Sequence, residues 1–279
     1  MDNLVVPSFA KINLGLNIIS KRDDGFHNLE TIFYPLKLSD EISIKKSMSF
    51  SFESNDKNLL NDNSNLIIRA KESLEKFLDE KLEVNIFLSK NIPIGAGLGG
   101  GSSNAAATLL GFTKLFDIQI SQNELQKIAL NLGSDVTFFL NPVPSYAESR
   151  GEILTPLNLK INKYILIVNP GIHISTKWAF SLITPKQPQI SLKTLVGKNL
   201  IDIEEVLDLA TNDFENKVFD HYPSIKEIKD KMIEFGAISS KLTGTGSTVW
   251  GIFDEEEPAY QTELYFKCKN YFTYIEFPI

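Results

Sequence analysis

Hydrophobic and polar positions alternate over residues 11–19, Lys-Ile-Asn-Leu-Gly-Leu-Asn-Ile-Ile, with Ile12, Leu14, Leu16 and Ile18 on one side and Asn13, Gly15 and Asn17 on the other. This period of two predicts a strand. Residues 4–6, 29–36, 40–44 and 82–88 read as further strands, and Phe50 and Phe52 mark a short one within the otherwise polar stretch 45–63. The charged turn at residues 21–28 carries Asp24-Gly25, a hairpin signal. Elsewhere the period lengthens to that of a helix. Over residues 64–78, Leu66, Ile67, Ala70, Leu74, Phe77 and Leu78 share one face. Ser121 with Glu124 is a capping box ahead of Leu125, Ile128, Ala129 and Leu132, and that helix stops at Gly133.

The second half continues the alternation. Residues 146–154 read as a hairpin-like pair of strands and 164–168 as a buried strand, while 239–253 reads as strand, glycine turn, strand and 271–277 as a last strand. Helices are predicted at 175–181, 203–209 and 224–235, the last with a capping box from Ser224 and Glu227. Mixed strands and helices place the chain in the α/β (α+β) class. The break at Thr155-Pro156 divides it into residues 1–155 and 156–279.

One stretch fits neither period. Pro93, Ile94, Gly95, Ala96, Gly97, Leu98, Gly99, Gly100, Gly101, Ser102 and Ser103 hold five glycines in seven residues and run straight into the helix-forming Asn-Ala-Ala-Ala-Thr-Leu-Leu. Backbone free of Cβ atoms approaches an anion closely, and the first N–H groups of a helix have no partner within it. Loop and helix therefore make a phosphate cradle. The spacing also satisfies G-x-G-x-x-G, the pattern of a Rossmann dinucleotide turn or of a protein-kinase lid, although residues 89–94 separate the preceding strand from the glycines where a Rossmann turn wants the strand to run directly into them. No Gly-Lys-Ser/Thr follows, so a Walker A loop is excluded.

Composition narrows the partners more than the fold. The 279 residues carry a net charge of −7, which leaves no basic excess for nucleic acid. A single cysteine, Cys268, rules out an internal disulfide framework and reads as a partly buried small hydrophobe. The first residues lack the basic and apolar regions of a signal peptide, and no run of 18 apolar residues occurs, so a cytoplasmic protein with no membrane partner is expected.

Position alone leaves three features open. Lys11, beside Phe9-Ala10, is either a strand-edge charge or a site residue. Asp135 is either a solvated turn aspartate or a site residue. Phe26 and His27 at the hairpin tip serve local packing, or stack on and hydrogen-bond to a planar ligand.

Three segments nevertheless occur in a telling order: Pro-Ser-Phe-Ala-Lys-Ile-Asn-Leu at 7–14, the glycine loop at 93–103, and Lys-Leu-Thr-Gly-Thr-Gly-Ser at 241–247. Together they resemble the three motifs of the GHMP kinases, the small-molecule kinases named for galactokinase, homoserine kinase, mevalonate kinase and phosphomevalonate kinase. Arg22-x-Asp-Gly-Phe-His27, Gly133-Ser-Asp-Val136, Gly151-Glu-Ile-Leu-Thr-Pro156 and Asn169-Pro-Gly171 are similar to the branch of that family whose alcohol substrate carries a cytidine diphosphate group. Phe26 stands where that branch commonly has tyrosine, Thr137 where it has proline, and Glu148-Ser-Arg150 replaces a more familiar stretch.

The resemblance implies a two-domain fold, with an N-terminal ribosomal-protein-S5-like α/β domain (1–155) for nucleotide binding and catalysis and a C-terminal ferredoxin-like α/β sandwich (156–279) for substrate. It implies that ATP, with Mg2+, phosphorylates the 2-hydroxyl of the diphosphocytidyl alcohol. Asp135 would accept the hydroxyl proton, and Lys11 would keep that carboxylate ionised and balance developing charge. Residues 93–103 would wrap the triphosphate with Ser102 as a metal contact, and Asn65 would help hold adenine. Phe26 and Phe180 would sandwich the cytosine, His27 would read its edge, and Asn13 and Thr176 would add polar contacts. Gly244, Thr245 and Gly246 would close over the site. Two alternatives remain: another GHMP-type small-molecule kinase, for which Phe26-His27 has no use, or a non-catalytic nucleotide-binding protein on the same scaffold, which has no need of both Lys11 and Asp135.

Asp135→Asn is expected to abolish turnover while nucleotide affinity stays within about a few-fold, because the change removes the base and little else. A turnover assay beside an ATP titration checks this, and near-normal kcat would take Asp135 out of the role.

Overall fold

The computed structural model describes residues 2–59 and 64–278; residues 60–63, at the end of the polar stretch, lie outside them. The chain opens with β1 (Asn3–Lys21) and β2 (His27–Lys46), which pair through the turn at Asp24-Gly25. Each is one long strand rather than the two shorter ones expected. Pro7 and Pro35 lie inside them, since proline withholds only the ladder bond its own N–H would donate. β3 (Ser51–Ser54), α1 (Leu66–Leu78), β4 (Val84–Ser89), α2 (Gly100–Leu115), α3 (Gln122–Leu132) and α4 (Ser134–Phe139) follow. Next come β5 (Ser145–Ser149), β6 (Ile153–Pro156), β7 (Tyr164–Asn169), α5 (Thr176–Ser181), α6 (Ile203–Leu209), α7 (Glu215–His221) and α8 (Pro223–Glu234). β8 (Ser239–Leu242), β9 (Val249–Phe253), α9 (Glu256–Cys268) and β10 (Phe272–Glu276) end the chain.

Two compact units arise, neither contiguous in sequence. The first comprises Met1–Ala10, Lys37–Ile92 and Gly99–Pro142. In it β4 lies antiparallel to β2, from Glu41 opposite Ser89 to Lys46 opposite Val84, and β3 runs parallel to β4. Helix α2 packs against α1 and α4, and α3 against α4. Ser121 and Glu124 form the expected capping box. Helix α1 buries Ile67, Ala70 and Leu74, but its fourth turn leaves Phe77 exposed. The same helix also buries a charged pair, Lys71 Nζ donating to Glu75 Oε1 at 2.6 Å, with the lysine over the Phe50 ring.

The second unit comprises Lys11–Leu36, Pro93–Leu98 and Val143–Ile279. Here β5 lies antiparallel to the first part of β2, Leu29 opposite Ser149, and β6 to β5. A four-stranded antiparallel sheet in the order β10-β7-β9-β8 backs a core that includes Leu166, Val168, Val249, Phe253, Phe214, Ile228 and Phe266. Helix α7 was not foreseen. Helix α8 begins at Pro223 with Tyr222 as its cap, so the box expected from Ser224 and Glu227 does not form. Proline's fixed φ sets the first helical position one residue early. Cys268, at the end of α9, is exposed rather than partly buried. Among the described residues no helix is long and apolar enough to cross a membrane.

Helix α2 meets the strands over Gly111, where a Cβ would stand 2.6 Å from Ile44 Cδ1 and 3.2 Å from Val6 Cγ2. Gly111→Val is therefore expected to destabilise the fold by about 1–3 kcal/mol through overpacking. Chemical denaturation measures it, and an unchanged midpoint would mean the helix is not seated this closely.

Candidate active site

Three segments far apart in sequence meet within the second unit. Alternation along β1 turns Lys11, Asn13 and Asn17 to the same side, and all three are buried. Lys11, 4% exposed, is therefore no edge charge. Its Nζ donates to Asn13 Oδ1 at 2.7 Å and lies 5.0 Å from the centre of the Phe33 ring. Asn13 has each polar group engaged. Its Nδ2 donates to Thr31 Oγ1 at 2.8 Å, its backbone N–H to Thr243 Oγ1 at 2.9 Å, and its carbonyl accepts from Trp250 Nε1 at 2.9 Å.

The glycine loop is tied to the same point. The Lys11 backbone N–H donates to the Leu98 carbonyl at 3.0 Å, and Thr248 N–H to the Ala96 carbonyl at 3.3 Å. Gly97, at φ 79°, has the Thr243 carbonyl oxygen 2.4 Å from where its Cβ would be. Only glycine permits this approach. The His173 ring packs against Gly95, Ile94 is exposed and Pro93 half-buried. Gly244, Thr245 and Gly246 form the turn between β8 and β9 that follows Thr243.

Aromatic residues form a second cluster in this unit. Phe26, at the β1–β2 tip, is 51% exposed. His27 lies beside Phe180, ring centres 5.0 Å apart and tilted by 32°, and Phe180 meets Phe214 edge-on at 4.9 Å. Burial lowers the His27 pKa, and the Lys21 charge lowers it further. The imidazole is thus neutral at pH 7, with one donor and one acceptor to offer. Thr176, exposed, is the first residue of α5, whose cap is Ser175.

The first unit holds the remaining expected residues. Gly99, at φ 74°, caps α2, and Gly100, Gly101 and Ser102 occupy its first turn, with Ser103 N–H closing the first intrahelical bond to the Gly99 carbonyl at 2.9 Å. The three preceding N–H groups have no acceptor within the helix. Asn65 caps α1, its Oδ1 accepting from Ile67 N–H at 2.9 Å. Asp135 is half-buried in the first turn of α4. Among the described residues no three histidines, cysteines or carboxylates group to hold a metal ion.

Three residues escaped the sequence reading. Thr243 carries the contacts above. Arg150 lies over the Phe26 ring, 4.3 Å from its centre. Asp40, fully buried, accepts from Asn91 and Ile92 N–H at 2.7 and 2.8 Å on one oxygen, and from Lys90 Nζ at 2.6 Å and Asn104 Nδ2 at 2.8 Å on the other. It thereby fastens the segment entering the glycine loop and the second turn of α2. Its signal was legible: Leu36, Leu38, Asp40, Ile42 and Ile44 alternate, which puts a carboxylate on the buried face. Burial lowers the Lys90 pKa and the Asp40 charge opposes that shift.

Residues 65–141 match the GHMP kinases N terminal domain and residues 195–271 the GHMP kinases C terminal domain. A 4-diphosphocytidyl-2-C-methyl-D-erythritol kinase of Prosthecochloris aestuarii is 41% identical over 264 residues, covering 93% of this chain and 92% of its own. The chain belongs to that family of GHMP kinases. The kinase of the same name from Chlorobium phaeobacteroides is 39% identical over 271 residues, 96% of this chain and 95% of its own. A crystal structure of 4-(cytidine 5'-diphospho)-2C-methyl-D-erythritol kinase superposes with a TM-score of 0.82 at 28% identity, covering 98% of each chain. As a GHMP kinase the protein is an ATP-dependent small-molecule kinase.

Titration of His27 by NMR is expected to give a midpoint below the ordinary imidazole value near 6.5. Because the unfolded chain takes up this proton first, the His27 contribution to stability is constant above that value and is lost as pH falls below it. A midpoint at or above the ordinary value would contradict the desolvated environment.

Proposed function

We propose that this GHMP kinase transfers the γ-phosphoryl group of ATP to the 2-hydroxyl of 4-diphosphocytidyl-2-C-methyl-D-erythritol, in the non-mevalonate route to isoprenoid precursors. The observation that carries the choice of acceptor is the pairing of a 51% exposed Phe26 with a neutral His27 against Phe180. An exposed ring offers a π-face and the imidazole offers one donor and one acceptor, the complement of a nucleobase. An acceptor without a base would make no use of either.

The chemistry needs positioning and charge balance more than covalent help. Asp135 takes the proton of the attacking hydroxyl as it is lost, and Lys11, oriented by Asn13, supplies positive charge for the transition state. Residues 93–103 present N–H groups to the triphosphate, Asn65 meets adenine, and Asn13, Thr176, Phe180 and Gly244, Thr245 and Gly246 meet the acceptor. Mg2+ travels with ATP and offsets phosphate charge, with Ser102 as its protein contact. Residues 1–155 serve as the nucleotide and catalytic domain and 156–279 as the substrate domain. The working compartment is the cytoplasm.

A coupled assay over alcohols with and without a diphosphocytidyl group is expected to give turnover only where the group is present. Phe26→Ala is expected to raise KM for that acceptor by roughly 5- to 150-fold, the equivalent of about 1–3 kcal/mol of lost base stacking. Equal turnover of mevalonate or homoserine, or an unchanged KM, would overturn the reading.

A further inference from the structure

Arg150 sits at the tip of the β5–β6 hairpin, in the tight turn formed where Gly151 N–H donates to the Glu148 carbonyl at 3.1 Å. Its own backbone N–H donates to Glu152 Oε2 at 2.7 Å, and Ser149 Oγ donates to Glu152 Oε1 at 3.0 Å, so the turn is closed by its own side chains. The neighbouring β1–β2 tip is equally built. Arg22 Nη1 donates to Ser149 Oγ at 3.1 Å, and Asp24 accepts from Arg22 and from the Phe26 backbone N–H at 3.1 Å. Register places the two hairpins side by side, Leu29 opposite Ser149. The outcome is a guanidinium laid over Phe26, with its central carbon 4.3 Å from the ring centre.

Two observations say that this contact is more than surface decoration. The Arg150 Nε is buried and has no hydrogen-bond partner, alone in that respect among the described residues. A buried N–H left unpaired is unfavourable, so something else must hold the side chain there: the Phe26 ring is what it lies over, and the Asp24 carboxylate is close enough to feel its charge. Phe26, meanwhile, remains 51% exposed although a cation covers part of it. A large apolar ring at a hairpin tip, pinned yet half open, is a surface prepared for a partner.

We propose that Arg150 is a positioning residue for nucleobase recognition: it fixes the Phe26 ring from behind, so that the remaining face is presented to the cytosine of the acceptor. A phenylalanine here lacks the hydroxyl through which a tyrosine could be anchored, and the planar guanidinium supplies the anchor instead. Ordering the ring before the ligand arrives removes that cost from binding. The proposal rests on Phe26 being the stacking ring.

The test measures KM for 4-diphosphocytidyl-2-C-methyl-D-erythritol, KM for ATP, kcat, and the Kd of cytidine 5'-diphosphate as a probe, in Arg150→Met, Arg150→Lys, Phe26→Ala and the Phe26→Ala/Arg150→Met pair. Arg150→Met is expected to raise the acceptor KM and the probe Kd about two- to fivefold, the range of an exposed cation–π contact, without changing kcat or the ATP KM. Arg150→Lys, which keeps the charge and the fold of the turn, should recover part of the loss. In the Phe26→Ala background Arg150→Met should add nothing. If Phe26→Ala raises KM while Arg150→Met does not, or if Arg150→Met acts equally in both backgrounds, the role given to Arg150 is wrong. If Phe26→Ala leaves both constants unchanged, the stacking assignment falls and this proposal falls with it.

Discussion

The Thr243 carbonyl stands where any side chain at Gly97 would have to go, and the placement of Lys11 depends on that close approach. Thr243 reaches Asn13 through its hydroxyl, Asn13 holds the Lys11 ammonium, and the Lys11 backbone N–H is bonded to Leu98, one residue beyond the glycine. The result is a closed circuit through three segments separated by scores of residues. Such a circuit is satisfied throughout or strained throughout, because each polar member is buried and its alternative is an unpaired group. Trp250 completes it from below by donating to the Asn13 carbonyl.

A protein with a net charge of −7 must place its positive charge locally to bind a polyphosphate. At the start of α2, backbone N–H groups with no acceptor within the helix offer positive partial charge, and Lys11 is a buried cation. Lys11 Nζ has the Asn13 amide oxygen and the Phe33 ring among its contacts.

The helix periods, the glycine loop and the ordered motifs were legible in the sequence because each is a local pattern. Lys11 was not decidable from its surroundings: beside Phe9-Ala10 an edge charge and a site residue look alike, and only its burial separates them. The strands were read too short, 4–6 apart from 11–19 and 29–36 apart from 40–44, because a sequence does not say whether the N–H that Pro7 lacks would have faced a partner strand. Pro223 displaced a capping box for a similar reason, its φ overriding the propensity of Ser224. Arg150 was noticed as a departure, but its role depends on two hairpins lying side by side, which no local pattern records.

Asp40 carries a consequence for the phosphate loop. Its carboxylate and the Lys90 ammonium are buried together, with side-chain exposures of 0% and 7%, at the entrance to the phosphate loop. Losing either partner alone would strand a charge in the interior at a cost of about 3–5 kcal/mol, and replacing both with apolar groups would still leave the Asn91 and Ile92 N–H groups and the Asn104 amide without their acceptor. The two positions are therefore energetically coupled across fifty residues of chain. A short stretch rich in glycine, free by composition to wander, is in this way anchored at its entrance by a buried ion pair.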